Sequence, residues 1–207
     1  MSKDALLNAM DVSREALEQL DAYVALLQKW SRAINLIGPQ EHDEIWTRHI
    51  LDSAQLLRHQ EDIPDSWLDL GSGAGLPGLV VAILLGDKLQ TMRFHLVDAD
   101  GRKAAFLREA ARQLQLPVTV HGERLEDVNE PPFQMISARA FAPLESLLRL
   151  AYRFCNESST FLLHKGQSVE TELKAAQQSW TMNHELLPSL SDPTGHLLRI
   201  SGLRPKT

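Results

Sequence analysis

The chain has 207 residues and a mass of 23.2 kDa, enough for one domain with a sizeable appendage and for a core that needs no metal or disulfide staple. Its single cysteine, Cys155, excludes an intramolecular disulfide and a cysteine-based zinc site. With 21 Lys and Arg against 27 Asp and Glu, the net charge of −6 excludes nucleic-acid binding by bulk positive charge and leaves room only for a local basic face.

From Ser13 to Ile34 the apolar residues Leu17, Leu20, Val24, Leu27 and Ile34 recur at helical spacing behind Ser13 as N-cap, which predicts a long amphipathic helix. A second helical stripe, Ile45, Trp46, His49, Ile50, Ser53, Leu56 and Leu57, ends before Ile63-Pro64. Residues 1–63 are therefore expected to form a helical cap. Within it, His49 and Asp52 stand three apart. No cysteine or second histidine lies at ligand spacing, so they are expected to form a buried junction and no metal site.

After Pro64 short apolar runs alternate with helical patterns, the signature of a mostly parallel sheet with helices on both faces over residues 64–207. Seven strands are predicted, at Trp67–Leu70, Phe94–Val97, Val118–Val120, Met135–Ser137, Phe161–Leu163, Asn183–Leu187 and Leu197–Ser201, the last two as an antiparallel hairpin. The intervening helices are Gly78–Leu85, Lys103–Leu114, Leu144–Cys155 and Val169–Ser179. The longest uninterrupted apolar run, Leu79–Leu85, is far short of the roughly 18 residues that span a bilayer. The N-terminal stretch lacks a secretory signal pattern. A soluble, cytoplasmic protein without membrane contact is expected.

The sharpest motif runs Asp69-Leu70-Gly71-Ser72-Gly73-Ala74-Gly75-Leu76-Pro77-Gly78, between the first strand and the first helix of the α/β unit. Glycines at this spacing let a ligand approach bare backbone. The pattern is neither the Gly-x-Gly-x-x-Gly of dinucleotide enzymes nor a phosphate loop, and Leu76-Pro77 makes a poor pyrophosphate cradle but a tolerable one for an amino acid plus nucleoside. Asp98, at the end of the second strand, is placed to accept hydrogen bonds from ribose hydroxyls. Arg139 and Lys165 end the fourth and fifth strands, where ligands of open α/β sheets lie, and two adjacent cations suggest an anionic ligand.

Arg48-His49-Ile50-Leu51-Asp52-Ser53, the glycine motif, Arg139-Ala140 and Lys165-Gly166 occur in this order. The sequence thereby resembles the bacterial glucose-inhibited division protein B family over nearly its whole length. The resemblance implies a Rossmann-like class I methyltransferase fold and transfer of a methyl group from S-adenosylmethionine to guanine N7 of small-subunit (16S) ribosomal RNA, with no stable protein partner. It implies cofactor contacts at Gly71, Leu76, Leu125, Glu126 and Arg139, alongside Asp69, Gly73, Gly75 and Asp98 of the motif reading. It also implies an RNA-facing surface with Arg124, Arg139 and Lys165, which Arg48 could join from the cap. Gln134 and Gly195 depart from the family pattern, in which Asp and Arg are common at those positions. The alternative is a methyltransferase with another acceptor. Protein-amide enzymes of that kind usually carry an Asn-Pro-Pro-Tyr-like motif where this chain reads Ser137-Ala138-Arg139-Ala140.

Overall fold

A computed structural model of the chain describes residues 3–38, 44–59 and 62–206; the parts of the predicted cap at 1–2, 39–43 and 60–61 lie outside the described residues. Seven strands, β1 (Ser66–Leu70), β2 (Arg93–Val97), β3 (Thr119–His121), β4 (Met135–Arg139), β5 (Thr160–Lys165), β6 (Trp180–Pro188) and β7 (His196–Pro205), form one sheet in the order β3-β2-β1-β4-β5-β7-β6. Strands β1 to β5 are mutually parallel, and β7 inserts antiparallel between β5 and β6. β1 and the first four residues of β4 are buried throughout, as strands covered on both faces must be.

The helices are α1 (Asp4–Ala9), α2 (Arg14–Ser31), α3 (Asp52–Ala54), α4 (Gly78–Leu85), α5 (Gly101–Gln113), α6 (Leu144–Ala151) and α7 (Val169–Ser179). Ser13 caps α2 by accepting the Ala16 N–H at 3.1 Å. The sequence Gly-Leu-Val-Val-Ala-Ile-Leu-Leu leaves α4 no polar face, and a helix apolar all round must be buried. Here the sheet covers one side of α4, and α2 and α3 of the cap cover the other. Leu20, Tyr23 and Leu27 of the cap share a single core with Leu79, Val80 and Ile83.

Several boundaries differ from the sequence reading. The second cap segment is not a regular α-helix, because Trp46–Leu51 is wound as a π-helix that passes through α3 into a 3-10 turn, Gln55–His59. Such widened turns concentrate at functional sites. β6 and β7 extend well beyond the predicted segments because β6 mixes polar and apolar residues and is largely exposed, and the ladder to β7 rather than apolar patterning defines it. Helix α1 and the 3-10 turn Gly86–Thr91 were not predicted.

Candidate functional site

The strand order reverses between β1 and β4, and in open α/β sheets the crevice at that point, beyond the strand carboxyl ends, takes the ligand. The glycine loop leaves β1 there. Gly71 has φ +64°, and a Cβ on it would stand 2.5 Å from Cδ2 of Phe141, so the loop brings bare backbone against an aromatic ring. Asp69 is fully buried beneath the loop. Its carboxylate accepts the Ser137 hydroxyl of β4 at 2.6 Å and the Gly78 N–H at 3.2 Å. Burial pushes its pKa up to about 6, against the lowering effect of these bonds. Asp69 therefore acts through the loop it holds.

Asp98 is nearly buried, and its two oxygens accept the N–H groups of Gly73 at 2.8 Å and Asp100 at 2.9 Å. The capping of α5 falls to Asp100, which accepts from the N–H groups of Arg102 and Lys103. Asp98 is thereby free of the capping duty and faces a cavity of about 240 Å³ lined by Gly71, Val97, Lys103, Glu123, Leu125 and Phe141, among others. Apolar walls, the carboxylates of Asp98 and Glu123 and one exposed stretch of glycine backbone suit a nucleoside.

A second cavity, about 540 Å³, opens beside it between the cap, the ends of β4 and β5, and the turn before β7. Arg48, Arg139 and Lys165 all line it, and Ala140 lines both cavities. Ala140 has φ +51°, an uncommon conformation for a residue with a Cβ and one that clusters at functional sites. Arg139 is held from the cap. Its Nε lies 3.4 Å from Oδ2 of Asp52 and its Nη2 lies 2.9 Å from Nδ1 of His49, while its buried Nη1 finds no acceptor among the described residues. His49 of the π-wound segment and Asp52 at the start of α3 thus converge on one guanidinium. Asp52 is fixed in turn by the Ser191 hydroxyl at 2.5 Å, and its backbone carbonyl accepts from His164 Nε2 at 2.8 Å. Burial lowers the His164 pKa, so the imidazole is a neutral donor there.

The predicted site residues divide into three groups. Gly71, Asp98 and Leu125 line the smaller cavity, with Asp69, Gly73, Gly75 and Leu76 shaping the loop behind it. Arg48, Arg139 and Lys165 line the larger one. Arg124 and Glu126 stand outside both, paired with each other at 3.3 Å, and the Arg124 side chain is 73% exposed. Lys165 is only 8% exposed and bonds Glu172 at 2.8 Å and the Ala142 carbonyl at 3.2 Å. Of the departures from the family pattern, Gly195 lines the larger cavity, whereas Gln134 bonds Asp65 at the opposite end of the strands.

Four participants escaped sequence reasoning. Tyr23 of α2, fully buried, donates its hydroxyl to the Ala74 carbonyl of the glycine loop at 2.6 Å. Phe141, Lys103 and Glu123 line the smaller cavity. Lys103 lies in the first turn of α5, five residues after Asp98, and that position is the one local signal that could have placed it. A larger cavity of about 1150 Å³ lies away from the strand ends, between α2, the end of α4 and residues 113–117.

Fold and pocket together define a Rossmann-like, S-adenosylmethionine-dependent methyltransferase. Solved structures agree at the level of fold: a SAM-dependent methyltransferase from Aquifex aeolicus superposes with a TM-score of 0.59 at 12% identity, over 87% of this chain and 97% of that one. A putative O-methyltransferase from Klebsiella pneumoniae gives 0.60 at 14% identity, over 95% and 94%. The family model described as GidB, rRNA small subunit methyltransferase G, matches residues 16–198. Ribosomal RNA small subunit methyltransferase G of Cereibacter sphaeroides is 47% identical over 98% of both chains. Its namesake in Rhodospirillum rubrum is 49% identical over 97% of both. The chain belongs to the GidB family of small-subunit rRNA methyltransferases.

Proposed function

We propose that this protein transfers a methyl group from S-adenosylmethionine to N7 of a guanosine in 16S ribosomal RNA, acting in the cytoplasm on the 30S particle. The observation that carries the reading is the contact of the two cavities at Ala140: a nucleoside-sized pocket on one side and a cleft with three basic side chains on the other. S-adenosylmethionine, when bound, supplies a methyl group on a positively charged sulfur, already an electrophile. Guanine N7 carries a free lone pair, so the chain need supply no general base. Its contribution is position, which is worth roughly 7–11 kcal/mol in the best cases.

In this reading Asp98 accepts ribose hydroxyls and Leu125 and Phe141 enclose the adenine. The guanidinium of Arg139, which lines the larger cavity, meets the target guanosine through O6, the acceptor beside N7, or through its phosphate. Labelled methyl transfer to 30S particles and 16S RNA that lack the modification, with nucleoside analysis, tests it. Wild type is expected to yield 7-methylguanosine. Arg139→Ala is expected to lose on the order of 100-fold in rate, the cost of a misplaced reactant, while still binding cofactor. Label in a different nucleoside, or in protein, would establish another acceptor for this site.

A further inference from the structure

Next to the smaller cavity, at the β3 edge of the sheet, His95 and Val97 of β2 point the same way, and His121 of β3 lies in register with Val97. The two imidazoles therefore share one face, and Glu130, from the irregular segment after β3, closes over them. His95 Nδ1 and His121 Nε2 are 2.9 Å apart, and Oε1 of Glu130 is 3.8 Å from the first and 3.9 Å from the second. We propose that these three side chains form a binding site for a divalent transition cation of the zinc type.

Three observations carry the assignment. First, the triangle with sides of 2.9, 3.8 and 3.9 Å has a circumscribed radius of about 2.1 Å, so a point in its plane lies at zinc-to-nitrogen and zinc-to-oxygen bonding distance from all three ligand atoms; the imidazole nitrogens, hydrogen-bonded to each other at 2.9 Å without the ion, need part by only a few tenths of an ångström, to about 3.3 Å, for tetrahedral binding. Second, the outer contacts are those a metal ligand needs. His121 Nδ1 lies 3.4 Å from Oε1 of Glu123, so this nitrogen carries the ring proton when Nε2 binds metal, and the carboxylate orients it. The other oxygen of Glu130 lies 3.6 Å from Arg93, which leaves Oε1 turned to the imidazoles. Third, the donor set of two imidazoles and one carboxylate, with a fourth position for water, selects zinc or its neighbours over magnesium or calcium, which prefer all-oxygen shells.

The consequence is local. β3 has three residues, and the segment from 122 to 134 that follows it has no helix or strand of its own, yet it supplies Leu125 and Glu123 to the smaller cavity. An ion joining β2, β3 and Glu130 would pin that wall.

Calorimetric titration of the chelator-stripped, tag-free full chain with zinc chloride tests the site. One zinc per chain is expected, with no comparable binding of magnesium. His121→Gln is expected to abolish that binding, Glu130→Gln to weaken it at least tenfold, and Glu123→Gln to weaken it about tenfold through the outer contact. Zinc is also expected to slow amide exchange over residues 119–130. Absence of stoichiometric zinc binding, or wild-type affinity in Glu130→Gln, would overturn the proposal. Because Glu130 lies at the partly exposed edge, that variant decides the matter even if His121→Gln does not fold.

Discussion

Gly71 lies where backbone conformation and ligand access meet. Its φ of +64° is left-handed, and Phe141 stands where a Cβ would go. Gly71→Ala therefore adds about 1–2 kcal/mol of backbone strain and pushes the aromatic ring into the cavity it lines. Calorimetric titration with S-adenosylmethionine is expected to show affinity reduced about tenfold, the equivalent of ~1.4 kcal/mol. Unchanged affinity would mean that the ring moves away from the pocket. The glycines and Asp98 were legible in the sequence because their meaning is local: a spacing, and a carboxylate at a strand end. Phe141 and Glu123 were not, because their direction depends on how the segments after β4 and β3 turn back across the sheet. Arg124 and Glu126 show the converse. Their neighbour Leu125 is buried in the pocket, and the alternation that turns it inward turns them out.

At the level of elements, the cap does two jobs through two different segments. Helix α2 covers the all-apolar α4 and also reaches past it, since the Tyr23 hydroxyl meets the Ala74 carbonyl in the glycine loop. Burial raises the Tyr23 pKa far above its ordinary value, so the group is a permanent donor. Tyr23→Phe leaves a buried carbonyl without that donor, a loss of about 1–3 kcal/mol, and each kcal/mol lowers the thermal midpoint by roughly 2–4 °C in a chain of this size. Because the bond ends in the loop, cofactor affinity is expected to fall with stability; a lower midpoint at constant affinity would confine Tyr23 to packing. The two helices with the plainest patterns, α4 and α7, have the boundaries their sequences predict. The second cap segment does not, because a helical stripe records which residues face inward and not whether the turn between them holds an extra residue. The pairing of His49 and Asp52 on Arg139 survives the change, because residues three apart share a helix face.

Over the whole molecule, the charge balance bears on the substrate. Each basic residue expected to face RNA already has a carboxylate close by: Arg48 with Glu44 at 3.5 Å, Arg124 with Glu126 at 3.3 Å, Arg139 with Asp52 at 3.4 Å and Lys165 with Glu172 at 2.8 Å. The exposed pairs contribute little to stability, about 0–1 kcal/mol each, but in each the carboxylate competes with a phosphate for the cation. With a net charge of −6 behind them, these side chains give weak electrostatic hold on bare RNA, and what hold there is must weaken further as salt competes for the phosphates. A folded particle can compensate, because it presents the guanosine in a fixed shape and its proteins add contacts that do not depend on phosphate neutralisation. Methyl transfer is therefore expected to be faster on 30S particles than on protein-free 16S RNA, and the ratio is expected to widen as salt is raised from about 50 to about 200 mM, the range over which phosphate-dominated binding collapses. Initial rates on the two substrates across that range measure it, and equal rates at every salt concentration would show that this paired, acidic surface needs nothing from the particle.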